Sequence, residues 1–340
     1  KSFGMKVNKA IVFYLLFLIL LNSFFINFDS SLSIDFIDVG QGDSILLRTK
    51  EGNYLIDTGG NIFGDFDVGE RILLPYLEKE GIFKLEGVFI SHFDADHCKS
   101  LPYLIDNIII ENIYFGYERE DNIYYQQIRQ KAFEKDIPVK LLKRGDKLTL
   151  DGNTNIVVIG PDDVMMSSLN ISDNDLSLVL LLNYYNTNIL FTGDIEGLGE
   201  KNVQYNINTD IDFLKVPHHG SNTSSKDEFL NVLNPNFGFI SVGRNNNFGH
   251  PHEEVIRRYK DKNIQIYRTD EQGLINLRLN KDEYKITPFI KEKWSIMEIM
   301  KGYSPYIIFL TIYFIFSYKI INKYILTKEE MEKIELQGIY

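Results

Sequence analysis

The sequence has very little cysteine and a deficit of positive charge. It contains one cysteine, Cys98, in 340 residues, so an internal disulfide framework is excluded and both a cytoplasmic and a cell-surface location stay open. It has 36 lysines and arginines against 47 aspartates and glutamates, a net charge of −11. This charge excludes passive binding of nucleic acid over the whole surface, although it permits a local basic groove.

Two long uncharged stretches near the ends of the chain are also strongly apolar. Residues 10–28 and 302–318 carry no charged side chain, and lysines precede the first stretch and follow the second. Each is close to the ~20 residues that cross a bilayer, and the lysines favour both termini inside and the body outside the cytoplasm. The alternatives are a cleaved signal peptide for the first stretch and a buried core helix for the second. We therefore expect a membrane anchor in residues 1–30, a globular domain in 31–290, and a linker, membrane helix and short tail in 291–340.

The body of the chain has the pattern of short strands with helices between them. Residues 33–58 contain three short apolar stretches separated by glycine turns, which predicts an antiparallel meander. Residues 107–116 predict a further strand, and residues 264–279 predict a closing hairpin. Helical spacing of apolar residues occurs over 66–81, 121–136 and 250–262. Together these elements predict an α+β fold of two stacked sheets with helices outside them, in four layers.

All six histidines lie in three motifs, SHFDADH (91–97), VPHHGS (216–221) and FGHPHEEV (248–255). Each motif follows an apolar stretch or precedes a predicted helix, so the simplest interpretation brings the three together. In the first motif His92 and Asp94 extend from one turn, and Asp96 and His97 open the next helix. Histidine nitrogen and carboxylate oxygen are ligands of Zn²⁺ and Mn²⁺, so one pair can hold one cation and the other pair a second. A solvated acidic turn is the alternative, but it leaves the other two motifs unexplained.

Two further aspartates follow apolar strands. Asp194, in FTGDIE, is placed where a carboxylate can bridge two cations and cancel their repulsion. Asp57, in NYLIDTGG, has the position of a carboxylate that orients a ligand histidine, or of an ordinary turn aspartate.

The remaining histidines have more than one interpretation. In VPHHGS one histidine is expected to be a metal ligand and the other a proton donor, and we favour His219 as the ligand and His218 as the donor. His250 could contact the substrate or protonate the leaving group. His252 could bind substrate or could cap a helix together with Glu253.

Seven segments agree in type and order with one known family: IDVGQGDSILL (37–47), LIDTGG (55–60), SHFDADH (91–97), NDLSLVL (174–180), LFTGDIE (190–196), VPHHGS (216–221) and SVGRNNNFGHPHEEV (241–255). They resemble the metallo-β-lactamase superfamily and, more narrowly, the hydrolase domain of ComEC-type DNA-internalisation competence proteins. The resemblance implies an αββα sandwich with a metal pair in a cleft at the sheet edges. It also implies hydrolysis by water, usually of phosphodiesters.

The resemblance implies roles for individual residues. The implied metal ligands are His92, Asp94, Asp96, His97, Asp194 and one of His218 or His219. Asp96, His218 and His250 are the residues expected to take part in catalysis. Asn174 and Ser177 occupy a region where the superfamily often has a further histidine, and they are expected to bind phosphate oxygens or water. Ser221 and His252 are expected among the substrate contacts.

The chain departs from the family in two respects. After the HxDxDH motif the family usually continues with an apolar residue and two glycines, whereas this chain has Cys98, Lys99 and Ser100. The two apolar stretches are also far fewer than a DNA channel would need. The sequence therefore predicts a membrane-tethered hydrolase rather than a transporter.

We expect this hydrolase to be a phosphodiesterase or nuclease that uses water activated by two divalent cations, Zn²⁺ or Mn²⁺. Its expected partners are a phosphodiester substrate, with DNA as a candidate, and the membrane; no obligate protein partner is indicated. One alternative is hydrolysis of surface phosphodiesters of the phosphocholine or teichoic type. The other is a non-catalytic membrane binding module with a degenerate site.

Overall fold

A computed structural model describes residues 31–290, except 62, 63, 65, 169 and 170, together with residues 312, 313, 316, 318 and 319. The chain divides into two compact units, residues 1–290 and 291–340. The strands of the described residues all lie in the first unit.

The strands are short and occur throughout the first unit. In chain order they are β1 (Leu32–Phe36), β2 (Ile45–Arg48), β3 (Asn53–Ile56), β4 (Lys84–Leu85), β5 (Gly87–Ile90), β6 (Ile109–Ile110), β7 (Ile113–Phe115), β8 (Val139–Leu141), β9 (Lys147–Asp151), β10 (Thr154–Gly160), β11 (Val179–Tyr184), β12 (Thr187–Phe191), β13 (Phe213–Lys215), β14 (Phe237–Ile240), β15 (Gln265–Arg268), β16 (Ile275–Leu279) and β17 (Tyr284–Pro288).

Short helices alternate with these strands. A π-helix (Gly69–Leu73) leads directly into α1 (Leu74–Lys79). The others are α2 (Ala95–Cys98), α3 (Leu101–Asn107), α4 (Ile123–Glu134), α5 (Asp163–Ser167), α6 (Gly197–Asn206), α7 (Asp227–Leu233), α8 (Glu253–Asp261) and α9 (Thr269–Gln272), and a 3₁₀ turn covers Pro217–Gly220.

The two large sheets have the same combination of antiparallel and parallel strands. The first has the strand order β17-β16-β1-β2-β3-β5-β7-β8, and the second has the order β15-β14-β13-β12-β11-β10-β9. In each sheet one half is antiparallel and the other half is parallel: β3, β5, β7 and β8 in the first, β12 to β15 in the second. The carboxyl ends of the parallel strands meet at one edge of each sheet, which is where open α/β sheets bind ligands.

Three groups of buried apolar side chains separate four layers. Along β11, Leu180 and Leu182 lie between the two sheets, whereas Val179 and Leu181 face α6, α7 and α8. The face of the first sheet that points away from the second sheet packs in the same way against α1, α3 and α4. This alternation is the period of two that an extended chain imposes on its side chains. The predicted α+β sandwich of four layers is confirmed.

Several predicted elements are found where the sequence placed them. The meander over 33–58 is β1, β2 and β3, paired antiparallel in that order. The helix predicted over 121–136 is α4, and the side chain of Asn122 begins it by accepting hydrogen bonds from the N–H groups of Tyr124 and Tyr125 at 2.8 and 3.2 Å. The side-chain amide of Asn122 also donates to the carbonyl of Phe93 at 3.0 Å. Asn122 therefore both caps α4 and holds Phe93, the residue after His92.

Two predicted elements are wrong. Residues 264–279 do not form a hairpin, because β15 pairs in parallel with β14 in the second sheet and β16 pairs antiparallel with β1 in the first. Residues 107–116 are not one strand: α3 extends to Asn107, β6 pairs with β4, and only β7 enters the first sheet. In both cases the apolar pattern identifies extended segments, but the partner of each is decided by contacts that are distant in sequence.

The two apolar stretches fall mainly outside the described residues. All of residues 10–28 and most of residues 302–318 lie there. Within the part of the chain that the structure describes, no helix has the length and apolar character needed to cross a membrane. The two membrane helices stay predictions from the sequence.

The centre of the fold gives a direct test of the inter-sheet core. Phe239 is fully buried between the sheets, and its ring stacks on that of Phe36 with centroids 4.3 Å apart. Phe239→Ala is expected to lower the free energy of unfolding by about 3–5 kcal/mol, because it removes this ring and leaves a cavity. The measurement is urea unfolding of the purified protein.

The matched control is Phe133→Ala, since Phe133 lies on the surface of α4 with 83% of its area exposed. It is expected to change the free energy of unfolding by at most about 0.5 kcal/mol. Equal stability of the two variants would contradict the packing of the two sheets around Phe239.

Candidate metal centre

Polar residues follow directly after the parallel strands of both sheets. Asp57 follows β3, and Ser91 and His92 follow β5 in the first sheet. Asp194 lies just beyond β12, and Lys215 is the last residue of β13 in the second sheet. All five are buried. The centre is therefore assembled from both sheets at the edge where their carboxyl ends meet.

Two glycine turns let the backbone of α2 approach this edge. The N–H of Asp43 donates to the carbonyl of Asp96 at 3.1 Å, and the N–H of Thr58 donates to the carbonyl of His97 at 2.7 Å. A Cβ atom at Gly42 would collide with the Asp96 carbonyl, and one at Gly60 would collide with the Ala95 carbonyl. Glycine at these two positions is thus required to bring α2, with its aspartate and histidine, against the sheet edge.

Hydrogen bonds orient two histidines so that the same nitrogen of each faces the centre. The Nδ1 atom of His97 lies 2.8 Å from Asp57 Oδ2, and the Nδ1 atom of His219 lies 2.7 Å from the carbonyl of Ser241. These partners assign the proton to Nδ1 in both rings, which leaves Nε2 as the ligand atom. The hydroxyl of Ser91 also bonds Asp57, at 2.7 Å, and fixes the carboxylate behind His97.

The two Nε2 atoms meet two carboxylates. They lie 3.3 Å from each other, and each lies 3.2 Å from Asp194 Oδ2. His219 Nε2 is also 3.3 Å from Asp96 Oδ2. Asp96, His97 and His219 form one group whose ligand atoms all lie within 4.8 Å of one another. This is the mixed nitrogen and oxygen donor set of a divalent metal site.

His92 and Asp94 lie beside this first group. His92, His97 and Asp194 form a second group within 4.8 Å, and His92 Nε2 is 3.6 Å from Asp94 Oδ2. The Nδ1 atom of His92 is 3.0 Å from the hydroxyl of Ser91, but its Nε2 atom is buried and has no hydrogen-bond partner among the described residues. A buried ring nitrogen without a partner fits a metal ligand, since such an atom is otherwise costly. Asp94 has 53% of its side chain exposed and opens the site to solvent.

Lys215 brings a buried positive charge to the back of the centre. Its ammonium group forms ion pairs with Asp43 and, at 3.2 Å, with Asp194 Oδ1, and it donates to the carbonyl of Gly193 at 2.9 Å. Burial lowers the pKa of Lys215, but the charges of Asp43 and Asp194 outweigh it and raise the pKa above its ordinary value. Lys215 therefore holds one oxygen of Asp194, while the other oxygen faces the histidines.

The charges of the centre do not balance without added cations. The centre contains five carboxylates and one lysine; the carboxylates belong to Asp43, Asp57, Asp94, Asp96 and Asp194. When the carboxylates are ionised and the histidines neutral, these six groups have a net charge of −4. Burial lowers the pKa of His219, yet the carboxylates of Asp194 and Asp43 raise it to about 10. The residues present thus fit divalent cations, which would supply the positive charge that these carboxylates attract.

Comparison with known proteins agrees with this geometry. The profile of the metallo-beta-lactamase superfamily matches residues 37–244. The chain belongs to the metallo-β-lactamase superfamily. The resemblance inferred from the seven sequence segments is confirmed, including its narrower part, because the relatives with similar sequences include competence proteins.

Three curated relatives of this metallo-β-lactamase chain are bacterial. ComE operon protein 3 of Bacillus subtilis is 33% identical over 262 residues, 72% of this chain and 33% of the relative. Competence protein ComA of Neisseria gonorrhoeae is 30% identical over 250 residues, 73% and 32% of the two chains. Recombination protein 2 of Haemophilus influenzae is 27% identical over 253 residues, 74% and 29%. The matched part is about a third of the length of each relative.

At the rim of the metallo-β-lactamase centre, His218 is held in a defined orientation. Its Nδ1 atom lies 3.1 Å from Glu196 Oε1, and its Nε2 atom is 4.0 Å from Asp194 Oδ2. Both His218 and His219 have left-handed backbone conformations, with φ of 49° and 51°. Such conformations are strained for residues other than glycine and concentrate at functional sites. They turn the two rings in different directions: His219 towards the ligand groups, and His218 towards Glu196 and the opening.

His250 and His252 lie further out. The ring of His250 is 5.5 Å from that of His218 and 6.5 Å from that of His219, so it borders the centre without entering a ligand group. Burial and the nearby His219 and His218 lower the pKa of His250 to about 4. His252 precedes α8, its ring lies 5.1 Å from that of His250, and its N–H donates to the carbonyl of Gly220 at 3.0 Å.

The residues expected to touch substrate occupy different places. The hydroxyl of Ser177 accepts from the N–H of Asp194 at 3.0 Å and is 3.4 Å from His92 Nδ1, so it supports two ligands. Asn174 is half-buried, and its carbonyl accepts from the N–H of Ser177 at 3.0 Å. Ser221 is buried and bonds Thr223 at 2.8 Å. In the structure these three residues shape the loops around the centre.

Sequence reasoning missed three residues of the centre: Asp43, Glu196 and Lys215. Asp43 and Glu196 each lie in a segment that carries the family resemblance, but neither lies next to a histidine in the sequence, so the histidine pattern does not mark them. Lys215 did leave a signal, because it interrupts the apolar strand DFLKV. A lysine in a buried strand requires a carboxylate partner, and that requirement points to the centre.

Lys215 generates a prediction about stability. Lys215→Met keeps the length of the side chain but leaves Asp43 and Asp194 buried without their cation. In EDTA the variant is expected to lose about 3–5 kcal/mol of unfolding free energy, measured by urea denaturation. Lys131→Met is the matched control, since Lys131 pairs with Asp106 on the surface, and its unfolding midpoint should equal that of wild type. A Lys215→Met variant as stable as the control would contradict the ion pairs described here.

Proposed function

We propose that the protein is a metal-dependent phosphodiesterase that acts on DNA. The observation that carries the proposal is the convergence of Asp96, His97 and His219 with His92, Asp94 and Asp194 at one open sheet edge. Two divalent cations, Zn²⁺ or Mn²⁺, suit a donor set that combines imidazole nitrogen with several carboxylate oxygens. The names of two curated relatives refer to competence and recombination, which supports DNA as the substrate.

The residues of the chain have separable tasks in this reaction. Bound divalent cations would neutralise the charge of the phosphodiester and acidify the attacking water. Lys215 fixes Asp194, and Asp57 fixes His97, so that the donors are in place before substrate arrives. Glu196 orients His218 through Nδ1, which leaves Nε2 at the rim to hold the proton that the leaving oxygen takes.

The unusual Cys98 does not favour a degenerate site. Its side chain is buried in the apolar layer beneath α2, and its thiol donates to the carbonyl of Asp94 at 3.2 Å. Burial raises the pKa of this thiol well above its ordinary value, so it stays protonated and unreactive. Cys98 thus fills the position where the family has an apolar residue. At the two glycine positions, Lys99 donates to the carbonyl of Asn61 at 2.7 Å, and Ser100 is buried and donates its N–H to the carbonyl of Gly59 at 3.2 Å.

Membrane attachment is a further part of the proposal. It rests on the apolar residues 10–28 and 302–318 and on the lysines before the first and after the second, which favour a position of residues 31–290 outside the cytoplasm.

Hydrolysis of a small diester and of DNA tests the proposed activity. The purified full chain in Mn²⁺ or Zn²⁺ is expected to hydrolyse methyl p-nitrophenyl phosphate and to nick single-stranded DNA. Asp194→Asn should lower kcat by about 100-fold or more, because loss of a supporting residue alone costs about 10–100-fold in such centres. Asp106→Asn is the control, since Asp106 is a surface carboxylate paired with Lys131.

Three outcomes oppose the proposal. No turnover by wild type in either metal would favour the non-catalytic binding module. Equal rates of wild type and Asp194→Asn would assign the activity to a contaminant. Release of small phospho-alcohols from a teichoic-type polymer, without nicking of DNA, would favour a surface phosphodiester as substrate.

A reporter fusion tests the sidedness. Asn153 lies in the turn between β9 and β10, where an insertion disturbs little packing. A phosphatase that folds only outside the cytoplasm is expected to be active when it is fused there, and a cytoplasmic galactosidase inactive. The reverse pattern would contradict the proposed topology.

A further inference from the structure

A cavity beside the metal centre is not used by the residues described above. It has a volume of about 300 Å³ and lies between the loops that follow β1, β3 and β14. Its wall includes Gln41, Asn61, Phe66, Asn245, Asn247 and Phe248. The volume is at the lower end of the ~300–1,000 Å³ that small-molecule sites have, which suits one planar heterocycle.

Stacked rings connect the cavity to the centre. The ring of His250 lies 6.5 Å from that of His219, with 29° between the ring planes, and the ring of Phe248 lies 5.7 Å from that of His250, with 27° between the planes. On the opposite side Gly60, which contacts the backbone of α2, also lines the cavity. A substrate with a phosphodiester at the centre can therefore place the group next to that phosphate in the cavity.

The lining combines flat apolar faces with amides. Phe66 and Phe248 are 45% and 43% exposed and line the cavity, so part of each ring is accessible to a ligand. Asn245 and Asn247 are exposed, and their side chains make no hydrogen bond to any other residue of the described part of the chain. Amides can both donate to and accept from a base edge, and phenyl rings stack on a base of any sequence.

The loop that carries these side chains is already ordered. The side chain of Asn246 accepts from the N–H groups of Phe248 and His250, at 3.1 and 3.0 Å, and donates to the carbonyls of Gly243 and His250. Phe248 and His250 are thus fixed before a ligand arrives, which reduces the entropy that binding costs.

The charges at the cavity disfavour a quaternary ammonium group. The guanidinium of Arg71 lies 5.7 Å from the centre of the Phe66 ring, and the cavity wall contains no carboxylate among the described residues. The positive charge of Arg71 opposes a second cation such as choline beside Phe66, whereas it does not oppose an uncharged base on the other face of the ring. An uncharged base is the better occupant.

We propose that this cavity is a subsite for one unpaired nucleobase of a single-stranded polynucleotide, held next to the phosphodiester at the metal centre. The inference rests on the proposed function and names its substrate more closely. Phe66 and Phe248 supply the stacking faces, and Asn245 and Asn247 contact the edge of the base. A base inside a duplex cannot enter such a cavity, so the enzyme should prefer single strands.

Two labelled oligomers of about 12 units test the subsite: a thymidine oligodeoxynucleotide and a chain of abasic spacers with the same backbone. Fluorescence anisotropy with the full chain in Ca²⁺ gives Kd for each. The backbone contributes equally to both values, so their ratio isolates the bases. Wild type is expected to bind the thymidine oligomer about tenfold more tightly, within the range of about 5–150-fold that one stacked base provides.

Phe248→Leu and Phe66→Leu should each bring this ratio towards one, whereas Phe133→Leu, on the remote surface of α4, should keep it. A ratio near one in wild type, or a ratio unchanged in both cavity variants, would overturn the subsite. So would loss of the ratio on addition of phosphocholine but not of thymidine monophosphate. Thermal unfolding of each variant shows that it is folded.

Cleavage of the same oligomers in Mn²⁺ separates this inference from the proposed function. Cleavage of both at equal rates would leave the phosphodiesterase standing and overturn the subsite. Failure to cleave either, together with a Phe248-dependent binding ratio, would overturn the activity and support the base-binding cavity.

Discussion

Mutual repulsion among buried carboxylates is the constraint on which the rest of the structure depends. Asp96 lies in α2, which follows β5 of the first sheet, and Asp194 follows β12 of the second sheet. Asp43 and Asp57 lie on the Nδ1 side of His97. Such charges push the two sheets apart at this edge unless cations hold them together. Lys215 supplies one positive charge, and bound divalent cations would supply the others. The apolar layer between the sheets, in which Phe36 stacks on Phe239, also holds the two sheets together against this repulsion.

The fold creates this site through local conformations that are individually unfavourable. Asp57, His218 and His219 all have positive φ, and two glycine turns press against the backbone of α2. Each such position costs of order 1–3 kcal/mol and persists only where the surrounding structure fixes it. The large buried core stabilises the whole enough to hold these residues in place. The donor atoms are therefore positioned before a ligand binds, as a hydrolytic metal centre requires.

Much of this arrangement could be predicted from the sequence, for identifiable reasons. The four layers follow from apolar alternation, and the ligand groups follow from histidine and aspartate directly after apolar strands. The partner of a strand could not be predicted, since β15 and β16 have the pattern of a hairpin yet join different sheets. The choice between His218 and His219 depends on two left-handed residues that no pattern reveals. Asp43 could not be predicted, because its role exists only once distant strands are adjacent, whereas Lys215 is marked in the sequence as a lysine within an apolar strand.

The most direct test of the central claim is anomalous X-ray scattering from crystals of the protein grown with Mn²⁺. The account predicts two manganese peaks at this sheet edge. One should contact Asp96, His97 and His219, and the other should contact His92 and Asp94, with Asp194 between them. A map without manganese among these side chains, or with manganese bound only elsewhere on the surface, would contradict the account.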